Sequence, residues 1–381
     1  MWNMASRRSI MTAKSTWIVC LTVCCLFIYW YTAWLSTQRS TSRFGMEDLI
    51  TGGDRIYTYQ AVGGQAPKKA NPYYLQTHSE HSRLKGKAFP FVTHVTHVRN
   101  NGIEQVMTHY DPDMDQTPNC PDTDVVVPDI LHWFWFFKTP APFKFHHYMS
   151  ALSAVRVHRP RQLYMWHDTL PEGELWQKLA SEINSSSIDV QYKVMHPPDT
   201  IFGKTIEFGE HKSDLARLGV LPKYGGIVMD FDIIITKSLR PLMCYNLTMG
   251  YEIEGKLNNG IMLAAPHQSF FSLWYEEFRS YNPKIYDVHN VQVPFQLHLK
   301  YPDAVHVEYT TMHYPTWFWD GRYSDMRHLY ESYLRYDWSH NYCVHLWHRF
   351  FGHEYDFQSM QQLNSTVGDL FRFVLNHPPA A

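Results

Sequence analysis

Residues Ser213 to Leu239 read SDLARLGVLPKYGGIVMDFDIIITKSL. Ser213 is placed to cap a helix whose following residues are good helix formers. Asp214 and Arg217 are three apart and share one helical face, while Leu215 and Leu218 form an apolar stripe. Tyr224-Gly225-Gly226 stops the helix, because glycine tolerates left-handed backbone. Ile227-Val228-Met229 has the length and type of a buried strand. Asp230 and Asp232 follow at its carboxyl end and bracket Phe231. Two carboxylates at i and i+2 on a strand end can aim at one hard cation, and Mn²⁺ or Mg²⁺ takes such oxygen ligands. A diphosphate supplies further oxygens, and a metal there neutralises its charge as it leaves.

A D-x-D triplet alone is a weak signal. Asp111-Pro112-Asp113, Asp113-Met114-Asp115 and Asp122-Thr123-Asp124 also match, but no strand precedes them. They read as solvated acids.

Around the central segment, strands and helices alternate. Val125 to Phe137 (VVVPDILHWFWFF) is a strongly apolar run suited to a buried strand, and Phe143 to Val157 is helical. Gln162 to His167 (QLYMWH) is a second buried strand. Leu170 to Ile183 carries Leu175, Leu179 and Ile183 on one helical stripe, and Asp189 to Met195 is a third strand. This alternation predicts an α/β body with a mainly parallel sheet and flanking helices. Such sheets bind ligands beyond the carboxyl ends of their strands.

Before the body lies a different texture. Trp17 to Leu35 (WIVCLTVCCLFIYWYTAWL) carries no charge and spans roughly 28 Å as a helix, about the thickness of a bilayer's hydrocarbon. Aromatics crowd its far end, and Arg7, Arg8 and Lys14 precede it without any acid. The reading is a cytoplasmic tail (1–16), a transmembrane signal anchor (17–35), a polar lumenal stem (36–125) and a catalytic domain (126–381), single-pass type II in the Golgi membrane. A strand or two near Phe89 to Val98 fits within the stem. Three N-x-S/T triplets, at Asn184, Asn246 and Asn364, suit glycosylation of a lumenal body. Cys20, Cys24 and Cys25 lie in the apolar run; Cys120, Cys244 and Cys343 allow one disulfide in a pairing the sequence leaves open. A net charge of −2 over 381 residues gives no electrostatic reason to expect nucleic acid. Self-association through the anchor or stem stays open.

SDLARLGVLPKYGGIVMDFDIIITKSLRPL resembles the sugar-binding D-x-D region of the family 32 glycosyltransferases, which include yeast-type mannosyltransferases and animal α-1,4-galactosyl- and N-acetylglucosaminyltransferases. Asn258-Asn259-Gly260-Ile261-Met262 resembles that family's N-x-h-h element, and Val344-His345-Leu346-Trp347 its late H-x-W element. The resemblance covers about Ile130 to Phe350. It implies a GT-A-like fold, a metal-bound nucleotide sugar, a glycan or glycolipid acceptor, and transfer with retention of configuration. It further implies that Asp230, Asp232 and His345 hold the metal or diphosphate. Asp214, Arg217, Tyr224, Gly225, Gly226, Asn259 and Trp347 would then face the donor. The sequence departs from the family where many relatives carry Gly-Pro: here Val293 precedes Pro294. That departure bears on donor and acceptor identity.

Other readings remain beside this one. Asp214 and Arg217 could be a surface ion pair, Asn258-Asn259-Gly260 a hairpin turn, and His345 and Trp347 core residues of a late strand. No catalytic nucleophile is singled out among Glu252, Glu254, Asp287 and Asp320. A glycosyltransferase-like binding module without turnover is one rival. A haloacid-dehalogenase-type phosphatase is the other, although the chain has no Asp-Asp pair and residue 234 is Ile where that class uses Thr or Val.

Overall fold

The computed structural model describes residues 92–100, 103–110, 120–253, 255–317 and 326–379. The chain divides into Met1–Lys68 and Lys69–Ala381, and all described residues lie in the second unit. The anchor at 17–35, the triplets at 111–115, Glu254 and Asp320 fall outside the described residues. Among the described residues no helix is long and apolar enough to cross a membrane.

Strands β1 (Val92–Asn100) and β2 (Ile103–Tyr110) form an antiparallel hairpin inside the segment read as stem. The body opens with β3 (Ile130–Trp135), α1 (Phe145–Ser153), β4 (Gln162–His167), α2 (Glu174–Asn184) and β5 (Asp189–Val194). These three strands pair in parallel, as their alternation with helices predicts. β3 starts at Ile130 rather than Val125, because Val126 and Val127 instead donate their amides to the Met243 carbonyl. A two-residue hairpin, β6 (Thr200–Ile201) and β7 (Lys204–Thr205), leads to α3 (Gly209–Tyr224) and then β8 (Gly226–Met229).

Helix α3 begins four residues before Ser213, so Ser213 is not its cap. The extra turn is held by buried His211, whose ring nitrogens lie 2.8 Å from the Tyr281 hydroxyl and 2.6 Å from the Tyr286 carbonyl oxygen. α3 ends where the Gly pair predicts, at Gly225 with φ +62°. β8 is buried throughout and pairs in parallel with β3.

Next come β9 (Ile233–Ile235), β10 (Leu247–Ile253), β11 (Lys256–Ala264), α4 (Ser269–Glu277), α5 (Val293–Lys300) and β12 (His306–Glu308). The main sheet has the order β12-β10-β11-β8-β3-β4-β5. Within it only β11 runs against its neighbours, so the mainly parallel α/β class is borne out. From β3 the chain steps outward to β4 and β5, then returns to place β8 on the other side of β3. A reversal of this kind opens a crevice past the strands' carboxyl ends.

The remainder comprises α6 (Arg327–Tyr330), β13 (Leu334–Tyr336), β14 (Cys343–His345), α7 (His348–Phe351), α8 (Phe357–Gln362) and α9 (Thr366–Asn376). β13 pairs with β2, and β14 runs antiparallel to β9. Ser365 caps α9 by accepting from the Gly368 amide. α9 buries Val367, Leu370, Phe371 and Val374, and the Phe371 ring packs 5.6 Å from Phe145 of α1. Cys120 and Cys244 form a disulfide, and Cys343 is a buried free thiol. Asn184, Asn246 and Asn364 are all exposed.

Candidate active site

Asp230 leaves the carboxyl end of β8 at the reversal point, and its amide donates to the Gly260 carbonyl of β11 at 2.8 Å. Ser150 of α1 fixes the same turn from below, donating its hydroxyl to the Asp230 and Ile233 carbonyls at 3.1 and 2.7 Å. A cavity of about 600 Å³ opens over this turn. Asp214, Arg217, Asp230, Asp232, Asn259, His345 and Trp347 all line it.

The pairing of β14 with β9 sets His345 opposite Ile233. His345 Nε2 thereby lies 3.2 Å from Asp232 Oδ1. The other Asp232 oxygen accepts the His348 amide at 3.2 Å. Burial alone would lift the Asp232 carboxyl, but His345 and His146 together hold it well below the usual range. Burial alone would lower the His345 pKa, and the charge and hydrogen bond of Asp232 more than reverse that. Two atoms bound at about 2.1 Å to one octahedral ion sit about 3 Å apart. The His345–Asp232 spacing therefore suits shared coordination, and two carboxylates with an imidazole are a donor set that fits Mn²⁺. His345 is both a residue of a buried late strand and a neighbour of Asp232, so those two readings do not compete.

Asp214 and Arg217 are not a surface pair: each is only 4% exposed. Arg217 donates to Asp230 and, at 2.5 Å, to the Asn259 carbonyl. Asn259 in turn donates its side-chain amide to Asp214 Oδ1 at 2.8 Å. Asn258 and Asn259 belong to β11, not to a turn. Asp214 Oδ2 is buried without a partner, and burial pushes its carboxyl up to about 7, against the pull of Arg217. A buried acceptor left unpaired beside a cleft is suited to a ligand hydroxyl.

Trp347, at φ +52°, stacks on His345 at 3.7 Å and donates its indole N–H to the Pro315 carbonyl. It walls the site rather than covering it, being 5% exposed.

Tyr224, Gly225 and Gly226 do not line the cleft; their assignment to the donor site is corrected. They lie at the opposite end of β8 from Asp230. A Cβ on Gly225 would stand 2.9 Å from the Ala264 carbonyl oxygen, and one on Gly226 2.5 Å from that of Ile130. The motif is a close backbone crossing.

Sequence reasoning missed several cleft residues. His146 and His147 come from the first turn of α1, and His348, Arg349 and Phe350 follow Trp347. The His-His doublet and the Trp-His-Arg run were the available signals. Glu252 and Asp287 also line the cavity. Glu252 accepts from Asn258 at 2.7 Å and from the Trp317 indole at 2.5 Å, while Asp287 pairs with Lys256 at 2.6 Å.

Residues 147–249 match the family described as a glycosyltransferase sugar-binding region containing a DXD motif. Glucan organizing enzyme 1 of Cryptococcus neoformans var. grubii is 27% identical over 201 residues, or 48% of this chain and 52% of that protein. The chain thus spans about half the length of this curated relative. Among solved structures, the bifunctional glycosyltransferase WbbM aligns at TM-score 0.38 and 9% identity, covering 68% of this chain and 51% of the other. The galactosyltransferase LgtC, solved with donor and acceptor sugar analogues, aligns at TM-score 0.33 and 12% identity, covering 66% and 97%. Asp230-Phe231-Asp232 falls inside the matched stretch. As the resemblance read from the sequence implies, residues 147–249 match the sugar-binding region of the DXD-containing glycosyltransferases.

Proposed function

We propose that the chain is a metal-dependent, retaining glycosyltransferase that moves a hexose or N-acetylhexosamine from a nucleotide sugar to a glycan or glycolipid. The observation that carries this reading is the convergence of Asp230, Asp232 and His345 with the buried Asp214–Arg217–Asn259 network in one cleft. Bound Mn²⁺ or Mg²⁺ would neutralise the leaving diphosphate. Asp230, Asp232 and His345 would hold it, and Arg217 keeps Asp230 oriented toward the cleft. Asp214, with one oxygen unpaired, would accept a donor-sugar hydroxyl.

In the transfer, the bond from the sugar's anomeric carbon to the diphosphate oxygen breaks and a bond to an acceptor hydroxyl forms. The acceptor's proton passes to the departing diphosphate oxygen. Attack on the face the diphosphate leaves retains configuration and needs no protein nucleophile. In keeping with this, Glu252 and Asp287 are both engaged by neighbours. The GT-A-like frame, Golgi location and type II anchor belong to the same proposal. Its lumenal placement is supported by three exposed asparagines in N-x-S/T triplets and by the Cys120–Cys244 disulfide.

The test is a panel of UDP- and GDP-sugars with Mn²⁺, against an EDTA control, using the full chain in detergent. Release of one nucleotide, abolished by EDTA and by Asp232→Asn, is expected. Silence across the panel together with no nucleotide binding by calorimetry would overturn the reading in favour of a module without turnover.

A further inference from the structure

Along β11 the character of the cleft wall changes. Lys256 opens that strand three residues before Asn259, a distance of about 10 Å at about 3.3 Å per residue. Near Lys256 the wall is aromatic. Trp317 and Phe350 both line the cavity and stack on each other, with ring centroids 5.7 Å apart and planes 27° from parallel. Phe350 is 55% exposed, so a large apolar ring is left uncovered at the cleft.

The Trp317 ring is held in place. Its indole N–H donates to Glu252 at 2.5 Å, and Lys256 Nζ stands 4.8 Å from a ring centroid of the same side chain. Lys256 is itself fixed by Asp287 at 2.6 Å. An aromatic ring ordered before binding loses little freedom when a ligand packs on it. Asn290 lines the same cavity and is only 5% exposed, yet its side-chain oxygen is buried without a hydrogen-bond partner. A buried acceptor of this kind points to a ligand that brings a donor.

Aromatic faces with a few fixed polar groups suit a molecule that is apolar on one face and hydroxylated at its rim. A hexopyranose has this form: its axial C–H bonds make a face apolar, while its hydroxyls lie around the edge. Charge argues in the same direction. The carboxylates of Glu252 and Asp287 outweigh the single ammonium of Lys256, which favours a neutral sugar over a phosphate-bearing nucleotide. The donor sugar is assigned to Asp214, which Asn259 holds. The further length of β11 from Asn259 to Lys256 leaves room for a second sugar.

We propose that Trp317, Phe350 and Asn290 form the acceptor subsite, and that it takes a neutral hexopyranose stacked by its apolar face. The proposal rests on the transferase reading above and adds to it the place of the acceptor and the chemistry that holds it. Trp317 and Phe350 carry the sugar ring, and Asn290 accepts one of its hydroxyls.

The experiment measures binding of the methyl glycosides of glucose, galactose, mannose and N-acetylglucosamine to the full chain in detergent. Saturation-transfer NMR is used, with Mg²⁺ and UDP or GDP present and absent, and nucleotide affinity is measured by calorimetry on the same samples. At least one glycoside is expected to bind, with strongest saturation on the C–H protons of one ring face. Phe350→Ala, a change at an exposed side chain, is expected to lower the ratio of glycoside to nucleotide affinity at least fivefold. Phe350→Tyr, which keeps the aromatic face, should stay within twofold of the wild type. Absence of glycoside binding under every condition would overturn the proposal, as would equal glycoside affinity in Phe350→Ala and the wild type. A parallel loss of nucleotide affinity in Phe350→Ala would overturn it too, by giving the aromatic pair to the donor. Glycoside binding that depends on Phe350, in a protein that binds no nucleotide, would support the saccharide subsite and overturn the transferase reading.

Discussion

Arg217, in the middle of α3, donates to the carboxylate of Asp230 at the end of β8 while its other nitrogen binds the Asn259 carbonyl of β11. One guanidinium thus joins three elements: α3, the end of β8 and β11. It lies 3.9 Å from Asp214, the acid one turn earlier in its own helix. The planar fork of arginine suits this bridging better than the single ammonium of lysine.

Arg217→Met is therefore expected to destabilise the fold by about 3 kcal/mol, because it leaves buried acceptors unpaired. Asp214→Asn combined with it should cost clearly less than the sum of the two single changes, since each substitution removes part of the same network. Urea unfolding of the two single variants and the double variant closes the cycle. Simple additivity would show that the two residues act independently.

Gly226→Ala is expected to cost about 3 kcal/mol, because φ is +99° and a Cβ would strike the Ile130 carbonyl. Gly255→Ala, also at positive φ but with nothing within 4 Å, should cost only about 1 kcal/mol. Thermal unfolding measures both. Nucleotide binding by the folded Gly226→Ala protein should be unchanged; a large loss at equal folded fraction would return the glycine pair to the donor site.

His132 donates Nε2–H to the Gly225 carbonyl at 2.8 Å and accepts the Trp166 indole N–H at 3.1 Å on Nδ1. Burial lowers its pKa to about 4, with the Gly225 bond opposing and Lys193 adding to the fall. The unfolded chain, with an ordinary value near 6.5, binds this proton first on acidification. The stabilisation is thus complete above about pH 6.5 and is lost as pH falls toward 4, up to about 3 kcal/mol for this group. His132→Gln, which keeps a donor and an acceptor but does not titrate, should flatten that part of the stability–pH curve. An unchanged slope between pH 6.5 and 4 would reject the assignment.

The Cys120–Cys244 disulfide closes a loop with a sequence separation of 124. Cys120→Ser/Cys244→Ser should lower stability by about 2–5 kcal/mol. Cys343 is fully buried, and burial pushes its thiol well above the usual range. It should resist a thiol reagent in the native wild type and react only on unfolding. Rapid labelling under native conditions would contradict the described packing.

The sequence by itself determined the local facts. The apolar run Gln162–His167 became β4, the stripe Leu175, Leu179, Ile183 became one face of α2, and Gly225 ended α3. These follow from side-chain period and backbone freedom, which are read over a few residues. It also marked Asp230 and Asp232, because a buried strand that ends in two acids has few structural explanations. Tertiary structure alone decided which distant residues join them. Only the β9–β14 pairing sets His345 against Asp232, and only the return of β8 beside β3 brings Asp214 and Arg217 under β11. The same assembly moved Tyr224, Gly225 and Gly226 to the far end of the strand, although they stand four to six residues before Asp230. Sequence distance along a strand grows at about 3.3 Å per residue, whereas neighbours across a sheet lie about 4.8 Å apart. A site is built across strands, so its membership is a property of pairing and not of spacing along the chain.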